Sequence, residues 1–173
     1  MPVLMMSAGG LVLLAAIWDL FSRRIPNLLP LIIAALYLVQ CVYTSAWSDM
    51  PWHLLTGVGV LVVGIVIFSF GWLGGGDVKL LAALALWAGP DHLILLLLVT
   101  GIGGGLLGIA YVLPAILAKN PAVSSSIDWV FTRVFKRPAP MLMASKSQGL
   151  QLPYGVAIAI AGFAVFYQIS GGF

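Results

Sequence analysis

The chain contains no glutamate, and its five acids are all aspartates. Only 8% of its 173 residues are charged, against about 25% in a soluble domain. That shortage excludes an ordinary water-soluble globular protein. A single cysteine, Cys41, rules out an intrachain disulfide and a Cys-rich metal site. The two histidines, His53 and His92, stand apart with no ligand-like spacing, so no metal and no other cofactor is expected. Eight basic residues and a net charge of +3 call for no nucleic-acid partner. The first apolar stretch has no basic segment before it and no small-residue cleavage site after it. It is expected to stay as a helix and not to be removed as a signal peptide. There is no internal repeat, and a single membrane-embedded domain is expected over 1–173.

What is present is apolar. Hydrophobic residues make up 62% of the chain, and mean hydropathy is +1.13. A membrane span needs about 20 apolar residues. The fold class expected is therefore an all-α integral membrane protein with six transmembrane helices over 3–21, 28–47, 54–73, 77–89, 93–118 and 152–170. Pro26 and the stretch Pro90-Asp91-His92 mark turns, and Trp47 and Trp52 flank a short polar connection at an interface. Gly57, Gly59 and Gly64 give the third helix a thin face, and Gly101, Gly104, Gly105 and Gly108 do the same for the fifth. The fourth helix is short, so it starts below the membrane surface or the bilayer thins around it.

With six spans, Arg23, Arg24, Lys79, Lys119, Arg133, Lys136, Arg137 and Lys146 all fall on one side. The positive-inside rule makes that side cytoplasmic and both termini extracytoplasmic. The loop 119–150 lies on the same side. Within it, Ile127, Val130, Phe131, Val134 and Phe135 repeat at helical spacing, with Asp128, Thr132, Arg133, Lys136 and Arg137 on the other face. Ser126 and Pro138 bound the stretch. It reads as a short amphipathic helix lying in the membrane surface, with the lipid bilayer as its partner. Alternatively, it covers the helix bundle from below.

The chain centres on Gly74-Gly75-Gly76-Asp77-Val78-Lys79. Three glycines clear the space beside one acid, where two long apolar runs meet. An ionisable group at membrane depth is a functional candidate by default, although a capped turn would use the same residues. A second acid, Asp19, ends the first helix at a similar depth. Asp49 and Asp91 fall in outer turns and Asp128 in the long loop. Two carboxylates held within a few ångströms share a proton, and such a pair can activate water and protonate a leaving amine. Peptide hydrolysis by this route needs no metal. The same acids could serve a proton relay in a small transporter. They could also be unrelated snorkelling groups in a non-catalytic component of a secretion or pilus machine.

These residues carry a resemblance. Gly74-Gly75-Gly76-Asp77-Val78-Lys79-Leu80 resembles the Gly-x-Gly-Asp-x-Lys-Leu motif of the type IV prepilin peptidases, which are membrane aspartic proteases. Asp19 followed by Arg23, Arg24, Ile25, Pro26 and Asn27 is similar to the family's first motif. Leu152-Pro153-Tyr154-Gly155-Val156-Ala157-Ile158-Ala159 resembles its late Pro-Tyr/Phe-Gly-x-Ala-Ile-Ala segment. The three occur in family order and span most of the chain. The resemblance implies that Asp19 and Asp77 are the catalytic pair. It implies cleavage of the leader from a prepilin or pseudopilin at the cytoplasmic face of the bacterial inner membrane. Gly74 and Gly76 would leave room for an extended peptide backbone. Pro153, Tyr154 and Gly155 would shape the site, or simply begin a helix. Lys79 would hold charge near the pair or meet lipid headgroups. Larger family members carry an N-terminal cytoplasmic extension with paired cysteines and also N-methylate the mature pilin. This chain begins at its first helix, so it resembles the short branch that serves Flp, or tight-adherence, pili, and no methyltransferase activity is expected. The sequence does not set the oligomeric state.

Overall fold

The computed structural model describes residues 2–117, 129, 133 and 153–171. The described residues are all-helical, in five elements: α1 (Pro2–Ser22), α2 (Leu28–Thr44), α3 (Met50–Ser69), α4 (Gly75–Leu117) and α5 (Tyr154–Ile169). Three stretches are long and apolar enough to cross a membrane: Val3–Ser22, Met50–Ser69 and Gly75–Ala110. α2 and α5 are shorter and equally apolar. Large apolar side chains such as Leu13, Ile17, Val58, Val62, Ile94 and Ile102 face outward. That arrangement inverts a soluble protein and suits a lipid solvent.

The ends of the helices follow from local chemistry. α1 stops where Arg23 takes a positive φ of 50° and its N–H bonds the Asp19 carbonyl at 2.7 Å. α2 stops at Ser45, also left-handed, whose N–H reaches the Cys41 and Val42 carbonyls. α3 begins four residues before the expected 54, because Pro51 fits a first turn, where no N–H is needed. Gly71, at φ 75°, ends the turn after it. The expected helices 77–89 and 93–118 are present as two segments of α4 that meet at a kink at Gly89 (φ 60°, ψ −173°). Pro90 then starts the second segment at a position that suits proline, so Pro90-Asp91-His92 is helical and not a turn.

Two compact units are distinguished, Met1–Gly104 with Pro153–Phe173, and Gly105–Leu152. In the first, the α4 segment ahead of Gly89 is the centre. Val78, Leu80, Leu84, Ala85, Trp87 and Ala88 are buried, which fits a helix that is apolar on every face. α1 packs chiefly on α5 and also on α2. Its inward stripe is Ala8, Val12, Ala15 and Ala16, and Gly9 beside it lies against Phe163 of α5, while Ala157 and Gly162 of α5 face Gly103 and Leu84 of α4. Lipid tails remove the hydrophobic drive between helices, so close packing of small residues must hold them together. Glycines matter here selectively. A Cβ on Gly57 would lie 2.5 Å from Leu86, and one on Gly64 would lie 2.6 Å from Val78. Gly59, Gly101 and Gly105 meet nothing within 4 Å, so they are not packing glycines among the described residues.

The far end of the central segment is pinned by rings. His53 Nδ1 lies 2.7 Å from the Leu86 carbonyl, and its ring fills the notch that Gly89 leaves open. Tyr37 stacks on His53, with centroids 5.3 Å apart. Trp87 sits edge-on to Tyr37 and to Phe166, and its indole N–H donates to the Ile33 carbonyl at 3.0 Å. In the second unit, residues 129 and 133 are helical, with the Arg133 guanidinium 5.4 Å from the Trp129 ring centre. The rest of the expected amphipathic helix lies outside the described residues.

Candidate active site

Asp19 and Asp77 are both buried, at 4% and 9% exposure. Among the described residues, Thr100 is the other fully buried polar side chain. Asp19 lies in the last turn of α1. Its Oδ2 accepts the backbone N–H of Gly155 at 2.9 Å. Gly155 is in the first turn of α5, where N–H groups have no helical partner and the helix dipole favours an anion. A Cβ on Gly155 would lie 2.8 Å from Asp19 Oδ2 and 3.0 Å from Asp19 Cβ. Only glycine leaves room for the Asp19 side chain to come this close to the α5 backbone.

Asp77 stands three residues after Gly74, whose carbonyl accepts the Val78 N–H at 3.1 Å. Gly74 is thus the residue at the helix cap. The Asp77 carboxyl folds back to the Gly74 backbone N–H, as the acid of a capping box does. A Cβ on Gly74 would meet Asp77 Oδ2 at 2.6 Å. The capped turn is therefore present, and it occupies one of the two carboxyl oxygens. One oxygen faces the Gly74 backbone, while Oδ1 is buried with no hydrogen-bond partner. A bare buried acceptor is costly unless something uses it. The Asp19 charge lies within electrostatic reach of the Asp77 carboxyl.

The segments around the acids are tied together. A Cβ on Gly76 would lie 3.0 Å from Ile25 Cβ and 3.3 Å from the Ile25 backbone, so the 23–27 loop rests on the glycine run. Lys79 Nζ donates to Asn27 Oδ1 at 2.8 Å. Pro153 is buried ahead of α5, and the Tyr154 ring fills the space over Gly104. Ile25, Asn27 and Gly104 are parts of this constellation to which the sequence reading gave no role at the site. Their only signal was position: the first two close the Asp19 motif, and Gly104 lies in a glycine cluster. Among the described residues no group of His, Cys or Asp side chains could hold a metal ion.

A model of the type IV leader peptidase family matches residues 6–109. The chain belongs to the type IV leader peptidase family. Membership implies protease activity, and the match takes in Asp19, the 23–27 loop and the Gly74–Lys79 run. It stops before Gly155, so the Asp19–Gly155 contact ties the matched part of this leader-peptidase chain to a helix beyond it. Comparison with curated proteins gives no match, and comparison with solved structures gives none.

Proposed function

We propose that the chain is an aspartic endopeptidase that removes the leader of type IV prepilins of the Flp kind, with Asp19 and Asp77 as its catalytic pair. The observation that supports this is that the two acids are both buried, one anchored on a helix N-terminus and one with an oxygen left bare, within electrostatic reach of each other. The pair holds one proton between them, and its titration belongs to both groups. One carboxylate takes a proton from a water as the oxygen attacks the scissile carbonyl. The protonated partner gives its proton to the carbonyl oxygen. When the C–N bond breaks, the leaving amine takes a proton from the pair, the carbonyl re-forms, and the shared-proton state returns.

A proton relay would use the same acids but would need a polar path through the helices. Family membership favours the peptidase. The site belongs to the cytoplasmic face of the inner membrane, in a six-span chain that counts the two α4 segments separately. Arg23, Arg24 and Lys79 gather at the Asp19–Asp77 end, as the positive-inside rule requires. Both termini are then extracytoplasmic. The test is purified protein with a synthetic prepilin leader peptide, with products read by mass spectrometry. A single cut between leader and mature sequence supports the proposal. An intact peptide with correctly folded protein removes it.

A further inference from the structure

Beside the acids, α2, α3 and the central segment of α4 enclose a groove of about 450 Å3. Its walls include Ala34, Leu54, Val58 and Leu61, and its polar end is formed by Asn27 and Lys79. Val58 is exposed, so the groove opens sideways from the bundle. The Lys79 ammonium bonds Asn27, and no carboxylate is paired with it among the described residues. An ammonium has three donors, and a neutral amide leaves its charge uncompensated.

We propose that this groove is a binding site for an anionic phospholipid of the cytoplasmic leaflet, with its phosphate on Lys79 and Asn27 and one acyl chain lying between α2 and α3. Charge complementarity selects the occupant. Any acyl chain satisfies the walls, but only an anionic headgroup satisfies the cation at their end. The polar end joins the 23–27 loop to the Asp77 segment through the Lys79–Asn27 bond. A bound headgroup would therefore hold together the two segments that flank the acids. The inference goes beyond the peptidase reading and rests on it only for the choice of leaflet, which the labelling below does not use.

The test uses the full chain in phosphatidylcholine nanodiscs doped with phosphatidylglycerol carrying a diazirine on its acyl chain. Adducts are mapped by mass spectrometry. They should concentrate on Ala34, Leu54, Val58 and Leu61 over the outward-facing Ile94 and Ile102. Lys79→Gln should cut this labelling by roughly fivefold, the effect of losing one cationic contact with an anionic lipid, while Lys79→Arg keeps it. Ala34→Trp, which blocks the chain but spares the cation, should also cut it. Equal labelling by a diazirine phosphatidylcholine, or unchanged labelling in Lys79→Gln, would overturn the proposal. So would full displacement of the lipid by a prepilin membrane segment on the Asp77→Asn protein, because the groove would then be the substrate's seat.

Discussion

Gly155→Ala is the change that probes the site most sharply without touching an acid. The added methyl would sit 2.8 Å from Asp19 Oδ2, 3.0 Å from its Cβ and 3.1 Å from its Cγ. Comfortable contacts between carbon atoms lie near ~3.5–4.0 Å, so the carboxyl must retreat by roughly half an ångström. The 2.9 Å bond from the Gly155 N–H then lengthens or breaks. A misplacement of about 1 Å in a catalytic group can cost 10²-fold, and half of that points to a loss of about 10- to 100-fold in kcat. Folding should survive. Helix propensity favours alanine over glycine by up to ~1 kcal/mol, which offsets part of an overpacking cost of about 1–3 kcal/mol. KM should change little, because the residue acts on Asp19 and not on remote parts of the substrate. The assay is steady-state cleavage of a prepilin peptide, with a thermal unfolding curve for each variant. Gly101→Ala is the control, since its methyl meets nothing within 4 Å. A Gly155→Ala enzyme with wild-type kcat would refute the assignment of Asp19 to the chemistry.

Three other outcomes are expected, the first from the structure and the other two from the sequence pattern. Gly89→Ala should destabilise by at least ~1–3 kcal/mol, the cost of holding a residue with a Cβ in a backbone region essentially confined to glycine, and more because the methyl meets the His53 ring; denaturant unfolding measures it. Single cysteines at Ser48 and Gly172, in a Cys41→Ser background, should react with an impermeant maleimide outside the cell while one at Ser125 does not; external labelling at Ser125 would overturn the six-span topology. Phe131→Asp combined with Phe135→Asp should slow turnover of membrane-embedded prepilin by several-fold while sparing a short soluble leader peptide, because it is the membrane-seated substrate that an amphipathic surface helix would guide; loss on both substrates, or on neither, would count against a seating role.

Much of this site could be read along the chain. An aspartate after three glycines at the join of two apolar runs marks itself, and Asp19 stands out because acids are so few. What the sequence could not state was contact over distance. Gly155 reaches Asp19 across 136 positions, and Lys79 reaches Asn27 across 52. No local pattern encodes either. Pro90-Asp91-His92 reads as a turn because proline interrupts a helical pattern. In the structure Gly89 separates two helical segments, as expected, but Pro90 starts the second at once, so the break is shorter than a three-residue turn. Gly59 and Gly101 look like Gly57 and Gly104 in sequence, yet only the latter pair faces a neighbouring helix. Spacing of small residues permits close packing but does not say which side of the helix is used.

The central claim is that the two buried carboxyls act as one unit, and the direct measurement is single-turnover cleavage of a prepilin by Asp19→Asn and Asp77→Asn proteins. Each asparagine keeps the shape of the side chain and removes the shared proton, so each single variant should lose at least ~10³-fold, as members of one catalytic unit do. The double variant should be no worse than either alone. Asp49→Asn and Asp91→Asn should cleave normally. Wild-type cleavage by Asp19→Asn, or by Asp77→Asn, in a folded and inserted protein would contradict the account.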